Sequence, residues 1–160
     1  MSTTSKASLI EALDQSNAAT RAVLKKTSLE QVVYENPAWL VRDVIWHIAV
    51  WDLQSARSIL AFADGGEYNI PDFDEDQFNT SSLEEGRELT PEALLEQSQH
   101  AREAFQQAVS KVPDGSENSE FLYPWGDERG SIAKLVEYMI EHEIEHRDEI
   151  VKALKGSNED

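Results

Sequence analysis

The chain has 160 residues, the size of one ordinary domain with room for a real core. Fourteen Lys and Arg oppose 31 Asp and Glu, a formal net charge of −17, which predicts no nucleic acid and no membrane surface as partner. A hydrophobic fraction of 40% excludes a chain too polar to collapse, and zero Cys excludes disulfides, thiolate ligands and a cysteine nucleophile.

The opening residues, MSTTSKASLIEAL, lack a basic segment followed by an apolar run, and nowhere do 18 apolar residues follow one another, so a cytoplasmic protein is expected. Apolar residues recur mostly at three and four positions, the helical period. The first helix is expected over 8–26, opened by Ser8 with Glu11 three residues on as a capping box, and carries Leu9, Leu13, Val23 and Leu24. The second is expected from Asn36-Pro37 to Asp64, stopped by Gly65-Gly66, and is the most apolar element. From 65 to 89 the pattern dissolves into Gly, Pro, Asp, Asn and Ser and reads as a loop; residues 64–92 hold ten acids against one base, Arg87. Helix three is expected from Thr90-Pro91 to about Val112, with Leu94, Phe105, Val109 and Val112 inward. Helix four follows the connection 113–130 and runs from about Ser131 to Lys155, ended by Gly156.

These elements predict a single all-α domain over 1–160, a four-helix bundle with a long crossover between helices two and three that leaves those two parallel. The short link between helices one and two predicts antiparallel neighbours. Trp46, Leu53 and Leu60 lie away from the main stripe of helix two and mark either a homodimer face or a helix buried on several sides.

On a helical wheel, helix four gathers Ile132, Leu135, Val136, Met139, Ile150, Ala153 and Leu154 in one stripe, and His142, Glu143 and His146 fall inside it. Lys134, Glu137, Glu141, Glu145, Asp148 and Lys152 fall opposite. Polar groups on an apolar face are costly unless satisfied. A metal ion satisfies them, because two histidines at i and i+4 present both rings to one point; core histidines bonded to other side chains are the alternative. The string His142-Glu143-Ile144-Glu145-His146 matches the H-E-x-x-H of zinc proteases, yet no third metzincin histidine follows and no downstream helix remains to supply a glutamate ligand. A third ligand must therefore lie upstream, and His47 in mid-helix two is the candidate, with Asp43 or Gln54 as acceptor for its second ring N–H. His100 falls opposite the Leu94/Phe105 stripe and is expected in solvent. Glu143 is either a general base or an acceptor for an imidazole or for an arginine from a neighbouring helix. Tyr34, Tyr68, Tyr123 and Trp125 line a pocket mouth or pack, and the acidic crossover gates the site or merely keeps the chain solvated.

The pattern Trp39-x-x-x-Asp43-x-x-x-His47-x-x-x-Trp51, followed by His142-x-x-x-His146 on the last helix, resembles the DinB superfamily of metalloenzymes from Lys6 to Ala153. Ser5-Lys6-Ala7-Ser8-Leu9 and Asp76-Gln77-Phe78-Asn79 resemble its ClbS-like branch. The resemblance implies an up-down-down-up bundle with zinc or nickel on His47, His142 and His146. It also implies activities such as thiol S-transfer with a low-molecular-weight thiol, maleylpyruvate isomerisation or hydrolysis of strained rings.

Two classes of function fit. One is a metal-dependent transferase or hydrolase that activates a thiol cosubstrate or water against a small-molecule electrophile in detoxification or stress response. Its ligands are His47, His142 and His146, and Glu143 is its base. The other is a non-catalytic metal- or ligand-binding bundle with a protein partner at its acidic face.

Overall fold

The computed structural model describes residues 5–158, and the expectations for 1–4 and 159–160 lie outside the described residues. Helix α1 spans Lys6–Leu24. Its cap is Ser5, not Ser8, because the two serines satisfy each other. The Ser5 hydroxyl accepts the Ser8 N–H and the Ser8 hydroxyl accepts the Ser5 N–H, each at 3.1 Å. The buried stripe of α1 changes from Leu9 and Leu13 to Ser16 and Thr20 along its length, which prepares a polar seat for a neighbour.

Strands β1 (Val32–Tyr34) and β2 (Trp39–Leu40) form an antiparallel hairpin across a cis Asn36-Pro37 bond, so the second helix does not begin at Pro37. Helix α2 runs Val41–Ala63, and the carboxylate of Asp43 accepts the Leu40 N–H at 2.9 Å at its start. It ends where expected: Gly65 adopts φ +85° and the Gly66 N–H reaches the Ala61 carbonyl at 2.8 Å.

The crossover is not all loop. Helix α3 spans Glu75–Arg87, capped by Asp74, whose side chain accepts the Gln77 N–H at 3.0 Å. Its sequence is too polar to show a stripe, and it is held through few points. Leu83 is buried, the Trp46 indole donates to the Ser82 carbonyl at 2.9 Å, and Gly86 lets the backbone lie on the Trp46 ring, where a Cβ would approach Cδ1 to 2.2 Å. Trp46 is thus covered by α3, and Leu53 and Leu60 pack half-buried against the core, which accords with the alternative of a helix buried on several sides.

Helix α4 spans Pro91–Lys111 behind the expected Thr90 cap and Pro91. Strands β3 (Glu120–Leu122) and β4 (Arg129–Ser131) then form a second hairpin that the sequence reading left as a connection. Helix α5 runs Ile132–Asn158, through Gly156 rather than ending there, since a glycine in an exposed last turn costs only about 1 kcal/mol.

Four helices form the bundle. Val41 and Val44 share a cluster with Leu94 and Ile150, while Ala56 and Ile59 share one with Phe105, Val109, Ile132 and Leu135. Hence α2 and α4 are parallel and α5 opposes α2. Along α1, Lys6 reaches the Val112 carbonyl, Gln106 the Ile10 carbonyl and Asn17 Gln99, so α1 opposes α4. The result is the up-down-down-up bundle with its long crossover. Helices α1 and α2 are antiparallel as expected but not neighbours: each packs on α4 and α5, because the hairpin in 25–40 carries the chain diagonally across the bundle end. No helix among the described residues is long and apolar enough to cross a membrane.

Candidate metal centre

Because α2 and α5 are antiparallel neighbours, the middle of α2 meets the middle of α5. His47, only 6% exposed on a helix buried nearly all round, faces His142 and His146 one turn apart. The Nε2 atom of His142 lies 3.1 Å from Nε2 of His47 and 3.0 Å from Nε2 of His146. One nitrogen from each of the three rings falls within 4.8 Å of the others. Two nitrogens held about 2.0–2.1 Å from a single ion at 90–110° lie about 2.8–3.4 Å apart, the range in which both separations from His142 fall. Burial, reinforced by the other two rings, pushes His47 down to about 3, and burial with His146 pushes His142 down to about 4. His146 is also lowered, chiefly by burial. All three are neutral imidazoles at neutral pH, the state in which a ring has a lone pair to give.

Hairpin β1–β2 furnishes the surroundings of this cluster. The Tyr34 hydroxyl sits 2.8 Å from Nδ1 of His146, and burial with Glu149 beside it keeps that hydroxyl protonated. Trp39 packs edge-on to His47 with ring centroids 5.2 Å apart. Neither acceptor expected for His47 serves it. Asp43 is taken by the Leu40 N–H and the Arg87 guanidinium, and Gln54 accepts the Tyr68 hydroxyl at 2.8 Å. His100 is exposed, as expected.

His47 and His142 open on a cleft of about 380 Å³ walled by Trp51, Phe73, Trp125 and Tyr138, with Glu75 and Glu128 also lining it. Trp125 therefore belongs to the pocket, whereas Tyr123 is buried and donates to the Ser131 carbonyl at 2.8 Å. Phe73, Glu75, Glu128 and Tyr138 escaped the sequence reading. They come from the acidic crossover, the second hairpin and the outward side of α5, and the only signal was aromatic residues scattered among turn residues.

Glu143 is not brought to this cleft. It is 1% exposed and points between α1 and α4, where Oε1 accepts the Ser16 hydroxyl at 2.5 Å and Arg102 Nη1 at 3.1 Å, and Oε2 accepts the Thr20 hydroxyl at 2.9 Å. Arg102, 2% exposed, also donates from Nε to Asp52 at 2.9 Å, and from Nη1 to the Leu13 carbonyl at 2.9 Å. Arg147 donates to Ser16 and Thr20 from the edge of the network. Burial pushes Asp52 up to about 6 against the pull of Arg102, and Glu143 adds to the push. Both oxygens of Glu143 are engaged, so the general-base expectation gives way to the arginine-acceptor one, for the physical reason that successive helical residues point about 100° apart.

No curated protein sequence matches the chain. Among solved structures, the fold resembles YfiT from Bacillus subtilis, described as a probable metal-dependent hydrolase with an unusual four-helix bundle topology (TM-score 0.75, 17% identity, 96% of this chain and 87% of that one). It resembles a mycothiol-dependent maleylpyruvate isomerase (0.72, 15%, 94% of this chain and 63% of that one). It also resembles the colibactin self-resistance protein ClbS, crystallised in complex with dsDNA (0.68, 13%, 95% and 96%). The last corrects the expectation of no nucleic acid: a chain of this fold has been crystallised with a duplex. Net charge sums over the whole surface whereas a duplex meets one local patch, so −17 excludes nothing. The family model of the DinB superfamily matches residues 5–150, which span both histidine helices and the crossover between them, and the chain belongs to that superfamily.

Proposed function

We propose that His47, His142 and His146 hold one divalent metal ion, zinc or nickel, through their Nε2 atoms. We further propose that the chain is a metal-dependent enzyme acting on a small electrophile with a thiol cosubstrate or water, in detoxification or stress response. The observation that carries this reading is the convergence of three neutral, largely buried Nε2 atoms at 3.0 and 3.1 Å beside an open cleft. Three neutral imidazoles brought this close can each turn a ring lone pair on one cation. A divalent ion so held supplies Lewis acidity that lowers the pKa of a thiol or water. The chain has no Cys, so any thiol arrives as a cosubstrate.

The protein's own residues then have distinct tasks. With the Nε2 lone pair of His146 given to the metal, its Nδ1 carries the proton, and the Tyr34 hydroxyl 2.8 Å away is placed to accept it and hold that tautomer. Trp51, Phe73 and Trp125 exclude water from the cleft and seat an apolar substrate. Glu143 braces α5 against α1 and α4 through Arg102, which sets the height of its neighbour His142. The descriptions of YfiT as a metal-dependent hydrolase and of the isomerase as mycothiol-dependent support the reading.

Elemental analysis of untagged protein tests it. Near-stoichiometric metal that is lost in His47→Ala and in His142→Ala is expected. Parent protein that carries no metal and refuses added zinc and nickel overturns it.

A further inference from the structure

We infer that the aromatic wall and lip of the cleft over the histidine cluster favour apolar and cationic groups over anionic ones; this rests on the reading above and narrows its substrate class to molecules whose part lying away from the metal is apolar or cationic. The cleft of about 380 Å³ lies at the small end for a ligand site, so it suits a molecule of modest size. Its walls are aromatic. Trp51 meets Phe73 at 86° with centroids 5.8 Å apart and meets Trp125 at 73° and 5.9 Å, so neighbouring rings form corners and are not stacked away against one another. Tyr138 is 39% exposed at the lip, a large ring left toward water. Ring faces carry negative quadrupole charge and attract a cation.

The charges around the cleft have one sign. Apart from the histidines, its ionisable lining consists of the carboxylates Glu75 and Glu128 and the Tyr138 phenol, with no Lys or Arg among the lining residues. Glu128 is tethered there, since the Trp125 indole N–H donates to its carboxylate at 3.1 Å. The arginine next in sequence, Arg129, is committed elsewhere, donating to both Glu67 oxygens at 2.8 Å. A site for a carboxylate substrate is ordinarily built from guanidinium or ammonium groups or a helix N-terminus. This lining has no cationic side chain, and the start of α3 at Glu75 is already capped by the Asp74 carboxylate, so a metal on the histidines would be the one cationic anchor, at the floor and not at the lip. The aromatic walls and the like-signed lip therefore act together: the first favours apolar and cationic groups, the second repels anions.

Three isosteric probes read the selectivity: phenyltrimethylammonium, tert-butylbenzene and benzenesulfonate. Each is titrated into the full chain, first metal-free and then zinc-loaded, and followed by tryptophan fluorescence. In metal-free protein the ammonium is expected to bind most tightly, with the hydrocarbon next and the sulfonate weaker than the ammonium by about tenfold or more. The Glu75→Gln/Glu128→Gln double variant brings ammonium and sulfonate to within about threefold of each other. Trp125→Ala weakens both ammonium and hydrocarbon by about tenfold.

A sulfonate that binds as tightly as the ammonium overturns the inference. So does a gap that survives the double variant, an ammonium affinity indifferent to Trp125→Ala, or an ammonium that shows no saturable binding. The metal-free arm separates this inference from the proposed function. Failure to take up zinc defeats the metal reading alone, whereas absence of the charge preference in the metal-free state of a protein that does take up zinc defeats this one alone.

Discussion

His142 and Glu143 are joined by one peptide bond, yet each belongs to a different buried polar cluster, and the two clusters differ in completeness. Around Glu143 both oxygens are engaged and every nitrogen of Arg102 donates, to Asp52, to Glu143 or to the Leu13 carbonyl. Around His142 three Nε2 atoms converge on one point and an aromatic cleft opens beside them. Burial alone does not separate structure from function; pairing does. A network whose donors and acceptors are matched among protein groups has nothing left to offer a ligand, whereas three neutral rings gathered beside a cleft keep ring nitrogens to give.

The largest expected effect strikes the completed cluster. Arg102→Met strands Asp52 and Glu143 without their cation and is expected to cost about 3–5 kcal/mol in urea unfolding, while folded protein still takes up metal. A variant as stable as the parent would show that the network holds nothing together.

Next, His142→Ala should weaken zinc binding by at least about a hundredfold, roughly 3 kcal/mol by competition with a chelator. Metal-free stability should move far less than in Arg102→Met, since no ion pair is broken.

Titration gives the two clusters opposite signs. Unfolded histidines take up protons below their ordinary 6.5, whereas folded His47 and His142 resist until about 3 and about 4, so their contribution is whole above pH 6.5 and lost as pH falls. At pH 5 that is roughly 2 kcal/mol for each in metal-free protein. Asp52, raised to about 6, binds a proton in the folded chain first and returns roughly 1 kcal/mol over the same interval. Unfolding free energies at pH 7 and pH 5 should therefore show a net fall that shrinks in His47→Gln and grows in Asp52→Asn.

The smallest effect is expected for Tyr34→Phe, about tenfold in metal affinity, since it removes the hydroxyl beside Nδ1 of His146 and leaves all three histidines in place. An affinity unchanged by that substitution would leave the hairpin with a packing role alone.

Much of this was legible in the chain. The i, i+4 pair on the inward stripe of the last helix and the histidine in mid-helix two were enough to name the cluster, because helical period alone decides which side chains share a face. Glu143 shared that stripe, but a wheel cannot say which neighbour lies over each sector, and the arginine that claims it stands 41 residues away in sequence. Helix α3 was hidden for another reason: it is nearly all polar and is fixed by Asp74, Leu83 and the approach of Gly86 to Trp46, none of which leaves a periodic trace. The two hairpins are three residues or fewer per strand, below the length at which alternation can be seen. They matter out of proportion to their size, since one brings Tyr34 to His146 and the other brings Trp125 and Glu128 to the cleft.

The clustered histidines sit on bundle helices, whereas Phe73, Glu75, Trp125 and Glu128 belong to the crossover region and to the β3–β4 hairpin and its turn. The histidine cluster is thus carried by core helices, which also supply Trp51 and Tyr138 to the cleft, and the rest of the aromatic and acidic wall is laid over them by the connections. Phe73, Glu75, Trp125 and Glu128 can therefore be exchanged to reshape the cleft without reopening the packing that places the three rings.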